Sequence, residues 1–516
     1  TSAKSLGGAL ATMKYDALVL TDNATFESRI ADAALGANLN RGLSVAASGG
    51  RIKVASGNAL RLEWPISGEG TLTKTGPGAL TLASLLIPAD ADAAEARIEV
   101  AEGQLLFAEG FSNASDKPIT VNAGTKVSVS SGEEVTVDNL VFNGGAIAIT
   151  CDANGENASG TLVLGEGCEP NWPIPVYPPA VRGVKTAFLK VPVSAGVITA
   201  DSFARPDDLG AAALPSLKFT VETVGEWQVV SAETVSLVSV VDKKSDGTNN
   251  DKAYIYHWSS DAWRWSDGLK VHADADYEAR CTSASPNAKT VYTQDLAADY
   301  TFPGASLGFY GISGKLAYFE FNTALDSFTC DLRTGDYVKI LPAAKSADGL
   351  HLRGRLHVGN VQASDQGLDW RAKGKDTLTI IDSVVSGSGI MSFQPADVNR
   401  TNTYYFTAGN SFNGKYFVYG AGKEGTLTTL KFAKAESFGT NPTTLTQQSV
   451  YLQSRAQIYP VGSQRVVLPN REFCFGGTVD QFVRVDKGET FELFACGPDP
   501  MLKAVAMRAT GTGSKG

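Results

Sequence analysis

The chain has 516 residues, and its 45 basic and 54 acidic side chains give a formal net charge of −9. With no basic run, RNA-binding aromatic motif or zinc-finger spacing, that balance argues against nucleic acid or an anionic membrane surface as partner. Charged residues are only 19% of the chain, and the 53 glycines and 21 prolines follow no three-residue period. The composition therefore excludes a collagen-like rod and points to a β protein faced with threonine and serine.

Taken in order, residues 17–82 read as short strands between turns. Examples are Ala17-Leu-Val-Leu20, Gly42-Leu-Ser-Val45, Arg51-Ile-Lys-Val54 and Ala59-Leu-Arg-Leu62. A V-x-x-G element followed by alternating apolar positions recurs. It runs from Val54 through Gly57 to Leu60 and Leu62, from Val121 through Gly124 to Val127 and Val129, and from Val129 through Gly132 to Val135 and Val137. It returns as Val485, Gly488, Phe491 and Leu493, with a looser copy at Val100, Gly103 and Leu105. Period-two alternation predicts strands, and a glycine between them predicts a corner. Strands this short bury too little surface as lone hairpins, so they must stack on neighbours of the same kind.

The clearest unit is Ser67-Gly-Glu-Gly-Thr-Leu-Thr-Lys-Thr-Gly-Pro-Gly-Ala-Leu-Thr-Leu82. Gly70, Gly76 and Gly78 are expected at corners, and Leu72, Leu80 and Leu82 are expected to point into a shared core. The stretch resembles the passenger-associated repeat of bacterial autotransporters, close to G-x-L-T-K-x-G-x-G-x-L-x-L. The matching residues are Gly70, Leu72, Thr73, Lys74, Gly76, Gly78, Leu80 and Leu82. The resemblance implies a right-handed parallel β-helix on the cell exterior, and it implies no reaction.

At Glu169-Pro-Asn-Trp-Pro-Ile-Pro-Val-Tyr-Pro-Pro179 the prolines are expected to interrupt regular coils. The longer runs beyond, Phe188–Val193, Leu217–Val221 and residues 224–241, suit an inserted sheet or sandwich. Around Thr301 the glycine-cornered pattern resumes, at Leu350–Val358, Thr377–Val385 and Thr403–Gly420. The expected organisation is a β-helix over residues 1–168, a Pro-bounded β-rich insert over 169–300 and a second β-helix section over 301–516. Residues 465–493 echo residues 41–62, as successive units of one array would.

The opening Thr1-Ser-Ala-Lys-Ser-Leu6 lacks the charged and apolar regions of a signal peptide. No apolar run of about 18 residues predicts a transmembrane helix. The cysteines are Cys151, Cys168, Cys281, Cys330, Cys474 and Cys496, without any C-x-x-C. Their even number and an exported setting predict the bridges Cys151–Cys168, Cys281–Cys330 and Cys474–Cys496, the first and last stapling neighbouring coils.

Several patterns bear on chemistry. Arg51-Ile-Lys53 stands without the G-H-G and clustered aspartates of a polygalacturonase, and Asp207-Asp208 follows rather than precedes it. Gly304-Ala-Ser-Leu-Gly308 matches G-x-S-x-G, with Asp326 or Asp331 and then His351 in hydrolase order. That motif requires a sharp strand-to-helix turn, whereas Phe-Tyr-Gly follows here. His272-Ala-Asp-Ala-Asp276 offers alternate ligands but reads more simply as a solvated face. Asp242, Asp246 and Asp251 form a weak calcium candidate, lacking EF-hand spacing and a terminal glutamate. Trp258, Trp263 and Trp265 could stack on sugars or close a small core.

The sequence thus predicts an all-β, non-enzymatic solenoid with no cofactor. The expected role is an extracellular structural or adhesive protein that forms or decorates a bacterial surface fibre, its copies or repeats stacked end to end. A carbohydrate-binding or polysaccharide-degrading surface protein is the alternative, with surface glycans as partner.

Overall fold

A glycine corner between two period-two segments lets the chain turn, lay the next strand one rung above an earlier one, and repeat. The computed structural model describes residues 10–36, 40–83, 97–113, 117–150, 160–179, 184–206, 214–241, 253–255, 265–282, 289–292, 296–342, 348–359, 367–372, 376–395, 401–421, 424–441, 446–476, 481–496 and 505–510. Among them strands dominate, with a few 3₁₀ turns and no α-helix. The strands stack in parallel as a β-solenoid of about 15 turns. The coils fall into two compact units, residues 1–206 with 215–235 and residues 207–214 with 236–516.

In the first unit successive strands of a coil belong to different sheets. One sheet stacks Ala24–Ser28, Gly50–Val54, Thr71–Thr75, Arg97–Val100, Ile119–Asn122 and Leu140–Asn143 in that spatial order. A second stacks Ala33–Leu35, Ala59–Leu62, Ala79–Leu82, Gln104–Phe107, Lys126–Val129, Ala146–Ala148, Ile174–Tyr177 and Phe203–Ala204. Registers are regular: Leu60 pairs with Leu80, Leu80 with Leu105 and Leu105 with Val127. Like positions therefore stack, and Leu60, Leu80, Leu105 and Val127 are essentially without solvent exposure. Each such side chain contributes roughly 1.5–3 kcal/mol over its exposed state.

The recurrent V-x-x-G glycines serve the backbone. Gly57, Gly103, Gly124, Gly132 and Gly488 all have φ between 73° and 86°, the left-handed region that favours glycine. A Cβ on Gly57 would meet nothing within 4 Å, so conformation alone selects glycine there.

The proline-rich stretch does not interrupt the stack. Ile174–Tyr177 lies between Ala146–Ala148 and Phe203–Ala204, with Ile147 against Val176 and Ile174 against Phe203. Ile174 and Val176 point into the core at 1% exposure, and Pro175 between them faces outward, so the prolines leave the buried face unchanged. Departure from parallel pairing comes later. Thr186–Pro192 still lies parallel to Thr161–Leu164, but Trp227–Thr234 then pairs antiparallel with Thr186–Pro192 and with Leu217–Val224.

In the second unit the coils alternate between two sheets. One carries, in order, Ser236–Ser239, Ala275–Arg280, Ser306–Tyr310, Ser327–Thr334, Leu350–Val358, Thr377–Ile381, Thr401–Phe406, Leu427–Phe432, Ala456–Pro460 and Phe482–Val483. The other carries Ala253–Ile255, Lys289–Tyr292, Ala317–Glu320, Val338–Leu341, Leu368–Ala372, Ile390–Pro395, Lys415–Tyr419, Thr446–Gln453, Gln464–Gly476 and Thr490–Cys496, with Val505–Thr510 added antiparallel at its end. The core is more aromatic than in the first unit. Phe406 stacks on Phe432 at 5.5 Å and Phe432 on Phe438 at 3.7 Å.

The predicted disulfides are corrected, since no bridge is found among the described residues. Cys168, Cys281, Cys330 and Cys474 are free thiols. Register is the reason. Arg280 pairs with Tyr310 and Phe309 with Thr334, so Cys281 lies in line with Asp336, six positions along the strand from Cys330. Six residues are about 20 Å, far beyond the ~7 Å a bridge tolerates. Cys496 pairs with Glu472, two positions from Cys474, or about 8 Å between Cα atoms across one rung. Cys151 lies outside the described residues, and its expected partner Cys168 instead donates to Val137 O at 3.1 Å.

Candidate functional site

Strand alternation sends every second residue outward, so the outer face of a stacked sheet consists of columns of aligned side chains. In the second unit, Tyr318 pairs with Lys339, Lys339 with Asp369, Asp369 with Ser392, Ser392 with Phe417 and Phe417 with Tyr451. A parallel column two residues along holds Arg371, paired with Gln394, and Tyr419, paired with Gln453. The intervening residues Phe319, Ile340, Trp370, Phe393, Val418 and Leu452 are fully buried. They fix the backbone from beneath, with Trp370 stacked on Phe393 at 6.2 Å.

These columns line a concave cavity of about 360 Å³, bordered by Lys339, Asp369, Arg371, Ser392, Gln394, Phe417 and Tyr419 together with Leu316, Tyr337, Val338 and Gly367. The volume falls within the range of small-ligand sites. Arg371 Nε donates to Asp369 Oδ2 at 2.6 Å. Asp369 Oδ1 is buried and accepts no hydrogen bond. Burial raises the Asp369 carboxyl above its ordinary range, opposed by the Arg371 charge. Burial likewise lowers Lys339, reinforced by repulsion from Arg371. Lys339 Nζ lies 5.8 Å from the centre of the Tyr318 ring. Phe417, Tyr419 and Tyr451 form an outward aromatic cluster, with centroids 5.8–6.4 Å apart.

The residues singled out from sequence lie elsewhere. Leu72, Leu80 and Leu82 are fully buried. Gly76 takes φ +76°, whereas at Gly70 an added Cβ would fall 1.8 Å from Ala46 O, so a neighbouring coil's backbone requires the glycine. Lys74, in phase with Leu72, also points inward and is fully buried. Its ammonium donates to Thr75 O at 3.0 Å, Gly76 O at 2.6 Å and Glu102 O at 2.9 Å. Burial lowers its pKa to about 8.

Ser306 is buried within the strand Ser306–Tyr310 and donates to Asp276 Oδ1 at 2.5 Å. Asp276 also lies 3.5 Å from the buried Arg333, which pairs with Asp331 at 3.1 Å. His351 is aligned with Ser327, four positions along the strand from Asp331, and pairs with Asp382 at 2.6 Å. The structure therefore does not bring Ser306, Asp331 and His351 together. His272 contacts Asp267 at 3.3 Å, while Asp276 turns to Ser306. Arg51 and Lys53 are exposed on either side of buried Ile52. Trp265 is buried against Tyr277 at 4.7 Å. Asp207, Asp208, Asp242, Asp246, Asp251, Trp258 and Trp263 lie outside the described residues. Among the described residues no group of three or more potential metal ligands occurs.

Sequence reading missed the cavity because its residues come from separate segments spread over residues 316–419. The available signal was local, in the polar alternation of Asp369-Trp-Arg371 and the aromatic alternation of Tyr416-Phe-Val-Tyr419. Comparison of the chain with protein-family profiles, with curated proteins and with solved structures returns no match.

Proposed function

We propose that the chain is an extracellular structural or adhesive β-solenoid of the passenger-repeat kind, forming or decorating a bacterial surface fibre through copies or repeats stacked end to end. The observation that carries this reading is the parallel stacking of successive coils within each unit, with aligned apolar columns inside and aligned polar columns outside. Such a stack is stiff because each coil is bonded to the next through its backbone. The repeat-like segment at residues 67–82 supports the passenger-type assignment: outward Thr71, Thr73 and Thr75 and inward Leu72, Leu80 and Leu82 follow the alternation that the repeat requires. End-to-end contact between identical stacks is heterologous and non-closing, which generates filaments.

The test combines surface fractionation of the source cells with negative-stain imaging of the native and purified protein. Fibres or end-joined rods carrying the chain at the cell exterior are expected. Recovery only from the cell interior, as monodisperse monomers at high concentration, would overturn the proposal.

A further inference from the structure

The outer face built on Lys339, Asp369, Arg371, Gln394, Phe417 and Tyr419 has three complementary requirements. The Asp369 side chain keeps 15% exposure and accepts only from Arg371 Nε, so its exposed edge can take a hydroxyl or amide hydrogen from an occupant. Arg371 uses Nε on Asp369, and its side chain is 35% exposed, so its terminal amino groups are open to an acceptor. Among the described residues the Lys339 ammonium makes no hydrogen bond or ion pair and faces the Tyr318 ring at 5.8 Å, so it too is open to an acceptor, and two cations against one carboxylate favour an anion. Phe417 adds an apolar ring beside these groups, with Tyr419 set edge-on to it at 81°. Three rungs separate Lys339 from Phe417, about 14 Å, so several linked rings rather than one span the face.

We propose that this face binds an acidic oligosaccharide: a sugar ring stacks on Phe417 with Tyr419 at its edge, a hydroxyl donates to the exposed edge of the Asp369 carboxylate, and Arg371 and Lys339 hold a carboxylate. A sugar carries all three features at once: an apolar ring face, hydroxyl donors and, in a uronate, an anionic acceptor. A polyphosphate lacks a donor for Asp369 and would be repelled by that carboxylate. A peptide strand has no free sheet edge to join here, because each strand of the cavity is paired on both sides. The proposal names a ligand for the adhesive part of the reading above and does not depend on fibre formation.

The experiment is calorimetric titration of the full chain with β-1,4-linked triglucuronate, trigalacturonate and sialyllactose, with cellotriose as the neutral counterpart. Binding of at least one acidic probe, at least about tenfold tighter than cellotriose, is expected. Phe417→Ala and Arg371→Gln should each weaken it about tenfold or more, whereas Arg51→Gln, on the first unit, should leave it unchanged. Lys339→Gln repeats the charge test should Arg371→Gln fail to fold. Absence of binding by all acidic probes at millimolar concentration, equal binding of cellotriose, or binding indifferent to these substitutions would overturn the assignment. None of these outcomes depends on whether the chain forms fibres, so failure here and failure of the fibre reading are distinguishable.

Discussion

At the residue scale, the two kinds of interior position behave differently when altered. Leu80 is fully buried between Leu60 and Leu105, so Leu80→Ala leaves a cavity that neighbouring rungs cannot close. Urea unfolding should show a loss of roughly 2–5 kcal/mol; a loss below about 1 kcal/mol would contradict close packing there. Lys74 occupies an equally buried position but is held by three carbonyl oxygens. Its folded pKa of about 8 lies below the roughly 10.4 of an unfolded lysine. Between those values the unfolded chain binds more protons, so the cost of burying the charge is greatest below pH 8 and fades as pH rises. Unfolding free energies of the native protein and Lys74→Met, measured from pH 7 to 10, should therefore diverge in favour of the native protein. A constant difference would refute a lowered Lys74 pKa.

At the element scale, register decides which side chains can meet. Cys281 and Cys330 belong to one sheet yet sit about six residues apart along it. Peptide mapping without reduction should recover both as free thiols, and a linked Cys281–Cys330 peptide would contradict the register. Burial also raises the Cys330 thiol pKa well above its ordinary value, so alkylation should be slow until the protein unfolds. Arg471 ties coils together in the same unit. It is fully buried and donates to Phe412 O at 2.7 Å, Gly414 O at 3.1 Å and Thr440 O at 2.8 Å. Arg471→Met keeps much of the volume but strands these carbonyls. A loss of about 3–5 kcal/mol in chemical denaturation is expected.

At the scale of the whole molecule, the two units have separate apolar cores. One runs from Leu20 to Ala232 and the other from Val238 to Leu493. Distinct cores support distinct cooperative transitions. Calorimetry should resolve two unfolding events, with Leu80→Ala shifting one and Arg471→Met the other. A single transition moved equally by both substitutions would show that the cores melt as one body.

The sequence by itself determined the solenoid, because its signals are local. Val54-Ala-Ser-Gly57 specifies a positive-φ corner, and the alternation of Leu60 and Leu62 specifies which face is buried. Stacking then follows, since strands of four or five residues have no other way to bury that face. Local signals misled where the deciding fact lay between coils. The prolines around Pro175 suggested a break, but Ile174 and Val176 kept their inward places in the stack. Pairing cysteines by order ignored the six-residue offset between Cys281 and Cys330. The cavity is the extreme case: Lys339, Asp369, Arg371 and Phe417 share one face only because three successive turns return in register. That alignment depends on the length of every intervening coil, which no local pattern encodes, so only the tertiary structure could assemble it.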